Sequence, residues 1–423
     1  MNLAINGGEK VGLLSVPVWP RYNEMTKEAV CSVFDSARWA ISGQWKGGLS
    51  ACEIFESEYA AFNKSTYCVA VDHGTNSLVA ALHALGIGAG DEVIVPALTW
   101  VACAICVCSV NAVPVIVDID PATFCISPEE IEKHITSKTK AIMPVHLYGC
   151  MADMDEIMKI AEKYNLYVIE DASHSHGAMW KDKYAGTIGD IGCFSFQQGK
   201  ALTSGEGGAA ITDDISLYNK LQEIRTNSRM YKLQSDCQMD HMHLQETGHI
   251  LGTNYCISEF QAAILSEQLQ HLEEWNRKKE ANARYLDREI AAIPGVTAMY
   301  HTENVTKRTY YRYCFKVDNR YFDNKPVKRI AEALEAELGF VVEQPYPPMH
   351  QSILYRPDTL KSLNWSSDYS NRINTNNFST PVAENASYNS GIIFHHSLLL
   401  NEREDMDRIV RAIDKVRTFS KEL

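Results

Sequence analysis

A lysine and an aspartate, each at the end of an apolar stretch, are the residues whose setting first indicates chemistry. Lys200 follows the run CFSF and has Gly199 before it and the turn GEGG after it. An amine sheltered from water loses its proton more easily, and only an unprotonated amine attacks a carbonyl. Asp171 ends the apolar stretch VIED, where a carboxylate could hold a proton on a heterocyclic nitrogen or cap a helix. The pair predicts a Schiff-base lysine and an acidic partner for an aromatic ligand.

Four more residues could complete a site for that ligand. Gly74 and Thr75 follow a strand pattern and begin a helix pattern, where small residues and free backbone N–H groups favour an anion. Ser195 adds a hydroxyl, and Trp100 follows the strand DEVIVP with a flat face for stacking. Each residue alone also has a structural interpretation, as a helix cap or as core packing. Together with the lysine and the aspartate, they predict pyridoxal 5′-phosphate (PLP) as the ligand.

Alternating strand and helix patterns must position these residues. Short apolar strands such as 66–72 and 166–173, separated by amphipathic helices, predict an α/β fold with a mainly parallel sheet flanked by helices. Ligands of such sheets bind at the carboxyl ends of the strands. We expect a large domain at 1–270, whose first 25 or so residues pack on a smaller α+β domain at 271–423. The Asn- and Ser-rich stretch 363–390 is expected to be loop.

Charge and cysteine content exclude several function classes. A formal charge of -13 argues against nucleic acid and against an anionic membrane as a partner. No apolar run is long enough to span a bilayer, and no signal peptide is visible, so a cytoplasmic location is expected. The twelve cysteines are scattered along the chain, which is typical of buried, reduced thiols. Cys103, Cys106 and Cys108 lack a second cysteine pair or a histidine cluster, so no metal is predicted.

An ordered series of motifs resembles a known family. HGTNS, DEVIVPALTW, VIEDASHSHGA, GTIGDIGCFSFQQGKALTSGEGG and GTNYCISEFQAAIL follow one another as in the DegT-type sugar aminotransferases, and the resemblance covers nearly the whole chain. It implies the aspartate aminotransferase-like fold of type I PLP enzymes, transaminase activity, and a homodimer with shared active sites. It also implies that PLP forms an aldimine with the lysine and that pyridoxamine phosphate is the intermediate form of the cofactor.

The same resemblance implies a role for each motif residue. Lys200 matches the Schiff-base lysine, Asp171 the partner of the pyridine nitrogen, and Trp100 the residue that stacks on the ring. The family's phosphate ligands match Gly74, Thr75 and Ser195. His174 matches a residue near the ring hydroxyl, and Asn254 matches a phosphate ligand that the neighbouring subunit supplies. One branch of the family has histidine in place of the lysine and dehydrates sugars. The lysine of this chain therefore favours transamination.

The substrate is implied by a departure from the common pattern. Many members have Asn-x-Arg, whereas this chain has Asn-Tyr-Cys ending at Cys256. With RWAISGQW, PYPPMH and IIFHHSLLL, this variant resembles the branch that transfers the amino group of L-glutamine, or L-glutamate, to scyllo-inosose or 2-deoxy-scyllo-inosose in aminocyclitol antibiotic biosynthesis. The alternatives are a nucleotide-linked keto-sugar aminotransferase and, third, a 3-amino-5-hydroxybenzoate synthase. A PLP-binding regulatory protein is disfavoured, because no basic helix-turn-helix pattern is visible.

Six further residues are candidates for substrate contacts, and each also has a structural interpretation. The candidates on the ketone side are Tyr346, His350, His395 and His396, and those for the carboxylate of the donor are Arg225 and Arg229.

Overall fold

The computed structural model describes residues 2–12 and 14–423. The strands are β1 Tyr67–Val71, β2 Glu92–Pro96, β3 Val113–Val117, β4 Thr139–Ile142, β5 Tyr167–Asp171, β6 Met179–Trp180, β7 Lys183–Tyr184, β8 Ile191–Ser195, β9 Gly208–Thr212, β10 Arg229–Tyr231, β11 Leu244–Glu246, β12 Val296–Ala298, β13 Val305–Lys307, β14 Arg312–Val317, β15 Val342–Glu343 and β16 Gly391–His395. The α-helices are α1 Glu24–Ser36, α2 Ala51–Asn63, α3 Gly74–Ala84, α4 Ala102–Ser109, α5 Pro128–Lys133, α6 Met154–Tyr164, α7 Ile215–Arg225, α8 Glu259–Ile290, α9 Val327–Leu338, α10 Ser367–Arg372, α11 Pro381–Asn385 and α12 Arg403–Thr418.

A seven-stranded sheet forms the centre of the fold, in the order β1-β9-β8-β5-β4-β2-β3. Pairing is parallel from β8 through β5, β4 and β2 to β3, whereas β9 runs antiparallel to both of its neighbours. The strands are short apolar runs such as EVIVP and are buried, as expected of strands covered by helices on both faces. The α/β fold class predicted from the sequence is confirmed.

Two hydrophobic cores divide the chain, and α8 connects them. Its first half, from Ala262 to Leu272, packs in the core of the central sheet, whereas its second half, from Ala283 to Ile290, packs in another core. That second core contains the antiparallel sheet β12-β14-β16-β15 together with α9 and α12, and Leu3 and Leu14 also pack there. The predicted boundary at residue 270 lies inside α8, and the division into 1–270 and 271–423 stays a prediction.

The stretch predicted as loop, 363–390, contains short helices. Ser366 accepts a hydrogen bond from the Tyr369 N–H and so caps α10, while Pro381 occupies the first turn of α11. Both are ordinary helix-start signals within a polar stretch. Side chains of this segment, including Tyr369 and Ile373, pack on the large core. The loop prediction is therefore wrong for these two segments.

The remaining expectations concern cysteines, metals and membranes. Cys103, Cys106 and Cys108 lie on α4 and are buried, and all twelve cysteines are free thiols. Within residues 2–12 and 14–423, no group of three or more His, Cys, Asp or Glu side chains could hold a metal ion. In the same described ranges, none of the helices combines the length and apolar character that crossing a bilayer requires.

Candidate active site

A cavity of about 650 Å³ lies at the carboxyl ends of the central strands. Eight of the fourteen residues predicted from the sequence line it, namely Gly74, Thr75, Trp100, Asp171, His174, Ser195, Lys200 and Tyr346. They come from four strand-to-helix or strand-to-loop connections and from one loop near the second core. Because the carboxyl ends of parallel strands share one edge of the sheet, these segments converge on one volume.

Lys200 is buried at the floor of this cavity, on the loop that follows β8. Its backbone N–H donates to the Gln197 carbonyl at 2.8 Å, and its Nζ lies 4.2 Å from the centre of the Tyr311 ring. Burial lowers the pKa of the Lys200 ammonium, although the neighbouring Tyr311 and Asp171 oppose that shift. A lowered pKa makes the unprotonated amine easier to reach, as a nucleophile requires.

Asp171 ends β5 with both carboxylate oxygens held by the protein. The Ser173 N–H donates to Oδ1 at 3.1 Å, and the Cys103 thiol donates to Oδ2 at 3.2 Å. Burial, together with the Asp171 charge, raises the pKa of Cys103 well above its usual value, so this thiol keeps its proton. The carboxylate is therefore fixed in orientation and still borders the cavity, which suits a partner of a protonated ring nitrogen.

The start of α3 forms the other end of the cavity. His73 is the N-cap residue but makes no side-chain cap hydrogen bond, so the first N–H groups of the helix are not satisfied by it. A Cβ built on Gly74 would lie 2.4 Å from the Ser195 Cβ, so only glycine lets Ser195 approach the helix start this closely. Together with Thr75, these groups form a site at the helix start that favours an anion, here called the anion cradle.

His174 and Trp100 line the part of the cavity where a hydroxylated aromatic ring would lie, between Asp171 and the start of α3. Its ring stacks on Tyr311 at 4.1 Å and on Tyr148 at 5.8 Å, and burial lowers the pKa of His174 well below its usual value. Its buried Nδ1 has no hydrogen-bond partner among the described residues. Trp100 is 48% exposed and lies 5.6 Å from the Tyr346 ring, which leaves a face free for stacking. The residues that line the cavity therefore have the chemistry that the ring and the phosphate of PLP require.

Sequence reasoning missed several residues that line the cavity. Tyr311 and Arg312 lie where β14 of the second core begins, more than one hundred residues after Lys200. The segment YYRYCFKVD contains β14, but its pattern does not indicate which side chains face the central sheet. An arginine at the first position of β14, directly before the run YCF, was the one available signal. Gln197 and Glu206, which border the lysine loop, were missed as well.

His395 and His396 lie behind the lysine loop rather than on the cavity wall. The Ser397 N–H donates to His395 Nδ1 at 3.2 Å, which places the ring proton on Nε2. His395 Nε2 and His396 Nε2 then donate to the Gly199 carbonyl at 3.2 and 3.3 Å. Burial lowers the pKa of His395 to about 4 and that of His396 well below its usual value, so both rings are neutral. The pair supports the residue that precedes the lysine instead of a substrate ring.

Four other candidates are also outside the cavity, and Arg225 requires a correction. Arg225 is fully buried at the end of α7, where its Nη1 is paired with Glu56 and donates to the Ala70 carbonyl at 3.0 Å. A guanidinium without access to solvent or cavity cannot bind a donor carboxylate. Arg229 Nε donates to the Thr226 carbonyl at 2.9 Å. His350 Nε2 is 3.9 Å from a Glu384 carboxylate oxygen, and Asn254 is exposed beside an isolated bridge to Thr226.

Comparison with known proteins places this geometry in context. Residues 24–395 match the DegT/DnrJ/EryC1/StrS aminotransferase family. The L-glutamine:2-deoxy-scyllo-inosose aminotransferase of Streptoalloteichus tenebrarius is 41% identical over 423 residues, 100% of this chain and 99% of the relative. The L-glutamine:scyllo-inosose aminotransferase of Streptomyces griseus is 39% identical over 415 residues, 98% of this chain and 97% of that one. The crystal structure of 3-amino-5-hydroxybenzoic acid synthase superposes with a TM-score of 0.79 at 28% identity, covering 96% of this chain and 99% of that one.

Proposed function

Because the chain belongs to the DegT/DnrJ/EryC1/StrS aminotransferase family and is a PLP-dependent transaminase, we propose that its reaction carries the amino group of L-glutamine, or L-glutamate, to a cyclitol ketone. The acceptor in this proposal is scyllo-inosose or 2-deoxy-scyllo-inosose, as in the full-length relatives that are 39% and 41% identical. The observation that carries the proposal is one cavity holding a buried Lys200 and a fixed Asp171, in a chain that matches those relatives from end to end.

The roles that we propose for the residues follow from their positions. PLP supplies an electron sink that makes the proton on the amine-bearing carbon acidic. Lys200 would hold the cofactor and, once its amine is free, would move that proton. Asp171 would keep the ring nitrogen protonated, Trp100 would offer a face to the ring, and His174 would offer a ring nitrogen to the ring hydroxyl. The anion cradle at the start of α3 would hold the phosphate.

Tyr346 is the predicted ketone-side residue that lines the cavity. Its ring lies between Trp100 and Tyr148, at 5.6 and 5.4 Å, and burial raises the pKa of its hydroxyl well above the usual value. A neutral phenol donates and accepts hydrogen bonds, which suits a ring carrying several hydroxyl groups. We propose that Tyr346 contacts the cyclitol, and that His395 and His396 do not.

A homodimer with shared sites is part of the proposal. Phe34, Trp39 and Phe260 form an aromatic cluster with ring centres 4.7 to 5.6 Å apart, and Phe34 and Trp39 are 54% and 53% exposed. Exposed aromatic clusters of this kind are typical of protein interfaces. Asn254 is exposed, and we propose that it reaches the cofactor phosphate of the partner subunit. Light scattering of a Trp39→Asp variant, compared with the wild type, tests the interface.

The free thiols support a cytoplasmic location within the proposal. Nine of the twelve cysteines are buried, and none forms a disulfide among the described residues. Such unpaired thiols are typical of reducing compartments.

The test of the proposed reaction is an absorbance titration of purified protein loaded with PLP. The cofactor band should bleach with L-glutamine and return when scyllo-inosose is added, with the aminocyclitol detected by mass spectrometry. Return of the band with a nucleotide-linked keto-sugar, but not with either inosose, would assign the enzyme to that alternative. A Lys200→Ala variant should show neither the band nor turnover while keeping the circular dichroism of the wild type.

A further inference from the structure

Arg312 is a cation on the wall of the cavity with no strong partner. It is the first residue of β14, and its register partner is His395, one of the two histidines behind the lysine loop. Its Nη2 lies 3.7 Å from Glu343 Oε2, beyond hydrogen-bond distance, and its guanidinium carbon is 5.3 Å from the Tyr311 ring centre. The side chain is 22% exposed. A guanidinium that lies beside an aromatic ring and keeps unpaired N–H donors can bind a planar anion such as a carboxylate.

The other cations that line the cavity have different tasks. Lys200 is engaged by the cofactor in the proposed function. His73 lies at the phosphate end of the cavity, where its Nδ1 is 3.1 Å from a carboxylate oxygen of Glu206. Among the described residues on the cavity wall, Arg312 is therefore the cation still free for a substrate carboxylate, and it is the one arginine there.

The donor and the acceptor differ in what they need from a cation in the cavity. Asp171 is assigned to the ring nitrogen and Glu206 lies beside His73, so the α-carboxylate of an amino acid needs a cation other than Lys200 and His73. The proposed ketone acceptor is a neutral ring and needs no such partner. One side chain can therefore act on the donor half of the reaction without acting on the acceptor half.

Resting on the proposed function, we propose that Arg312 binds the α-carboxylate of the amino donor and so selects amino acids over simple amines. The guanidinium reaches the cavity from the second core, on the side where Tyr311 borders Lys200. A fork of two N–H groups on two carboxylate oxygens would fix the rotation of the donor about its amine-bearing carbon. That carbon then presents its proton to the lysine.

The experiment compares the wild type with Arg312→Gln and Arg312→Lys. The cofactor band reports the binding of α-methyl-L-glutamine, which has no proton to lose at its amine-bearing carbon, and the rate of bleaching by L-glutamine. 4-Aminobutanamide, which is glutamine without the carboxylate, is the matched amine. Arg320→Gln is the control variant, because that arginine is exposed and pairs with Asp318 on the surface.

We expect R312Q to weaken α-methyl-L-glutamine binding and kcat/KM for L-glutamine by about 100-fold or more. Reaction with 4-aminobutanamide should change by less than about threefold, and R312K should recover part of the loss. The acceptor half-reaction, started from pyridoxamine phosphate enzyme and ketone, should keep its KM. R320Q should match the wild type throughout.

Equal losses for glutamine and 4-aminobutanamide, or unchanged glutamine binding in R312Q, would overturn this role and indicate a carboxylate ligand from the partner subunit or elsewhere. The donor measurements use no ketone, so they are independent of the acceptor. A wild type that bleaches with glutamine but accepts neither inosose would overturn the proposed acceptor and leave the Arg312 result standing. A wild type that reacts with neither glutamine nor glutamate would overturn both.

Discussion

The buried pair formed by Arg225 and Glu56 gives the sharpest test of the reasoning, because it decides between a structural and a catalytic arginine. Glu56 Oε1 also accepts the Ala70 N–H at 2.7 Å, so the pair joins α2, β1 and the end of α7. In an Arg225→Met variant, the Glu56 carboxylate loses its counterion inside the protein. We expect a loss of stability with no specific loss of donor binding.

The expected loss can be estimated from the burial of both groups. Removing one partner of a buried ion pair costs about 3–5 kcal/mol. The entropy of unfolding is about 2.1 cal/mol/K per residue, or about 0.9 kcal/mol/K for the whole chain, if it unfolds as one unit. The midpoint of thermal unfolding should therefore fall by about 3–6 °C.

The loss should also depend on pH with a defined sign. Burial raises the pKa of Glu56 above its usual value, although Arg225 opposes the shift. Without Arg225, the carboxyl pKa in the folded state rises further, so the folded protein binds more protons than the unfolded chain. Stability then falls as the pH rises above the unfolded pKa of about 4. The deficit of the variant should be smaller at pH 5 than at pH 8.

Differential scanning fluorimetry at the two pH values, with the donor half-reaction measured at 25 °C, completes the assay. Arg320→Met, at an exposed surface pair, should shift the midpoint by less than about 1 °C. The double variant with Glu56→Leu should recover part of the loss, because no charge is then left unpaired. An R225M enzyme with unchanged midpoint and a tenfold higher KM for glutamine would refute the structural assignment.

Three further predictions concern Cys103, His395 and Lys279. Cys103→Ala removes a hydrogen bond to Asp171 and should weaken PLP binding several-fold in an equilibrium titration, with little change in thermal midpoint; unchanged PLP affinity would contradict the contact. His395→Ala should lower kcat about tenfold with little change in donor KM, and the pKa of about 4 predicts no inflection from His395 between pH 5 and 9 in the wild-type rate profile. Burial lowers the pKa of Lys279 to about 7, so the unfolded chain binds the extra proton between pH 7 and about 10 and stability rises with pH there. Lys279→Met should therefore raise the free energy of unfolding by about 4 kcal/mol at pH 7 or below, and by less at pH 9. An equal increase in the free energy of unfolding at both pH values would contradict a buried charge at this position.

The predicted residues that line the cavity share a feature that is visible in sequence. Gly74, Trp100, Asp171 and Lys200 each lie at or shortly after the end of an apolar strand, and a parallel sheet brings such ends together whatever the distance along the chain. The position of each residue relative to the end of a strand was sufficient to predict that these residues lie close together. Their chemical roles remain predictions.

The residues that were missed or misinterpreted depend on contacts between distant segments. Arg312 reaches the cavity from a different sheet. No local sequence pattern indicates how the two cores pack against each other. The partner of Arg225 is Glu56, which lies 169 positions earlier. His395 and His396 looked like polar ligands because their bonds to a backbone carbonyl have no sequence signature.

The two histidines that hold the Gly199 carbonyl have a consequence for protein engineering. They belong to β16 and the turn after it, in the antiparallel sheet, whereas the carbonyl precedes the lysine in the other half of the molecule. An exchange of the C-terminal region between relatives, made to borrow a new acceptor specificity, would therefore also replace the support of the catalytic loop. Such chimeras should retain their chemistry only when the incoming segment brings two neutral ring donors to this carbonyl.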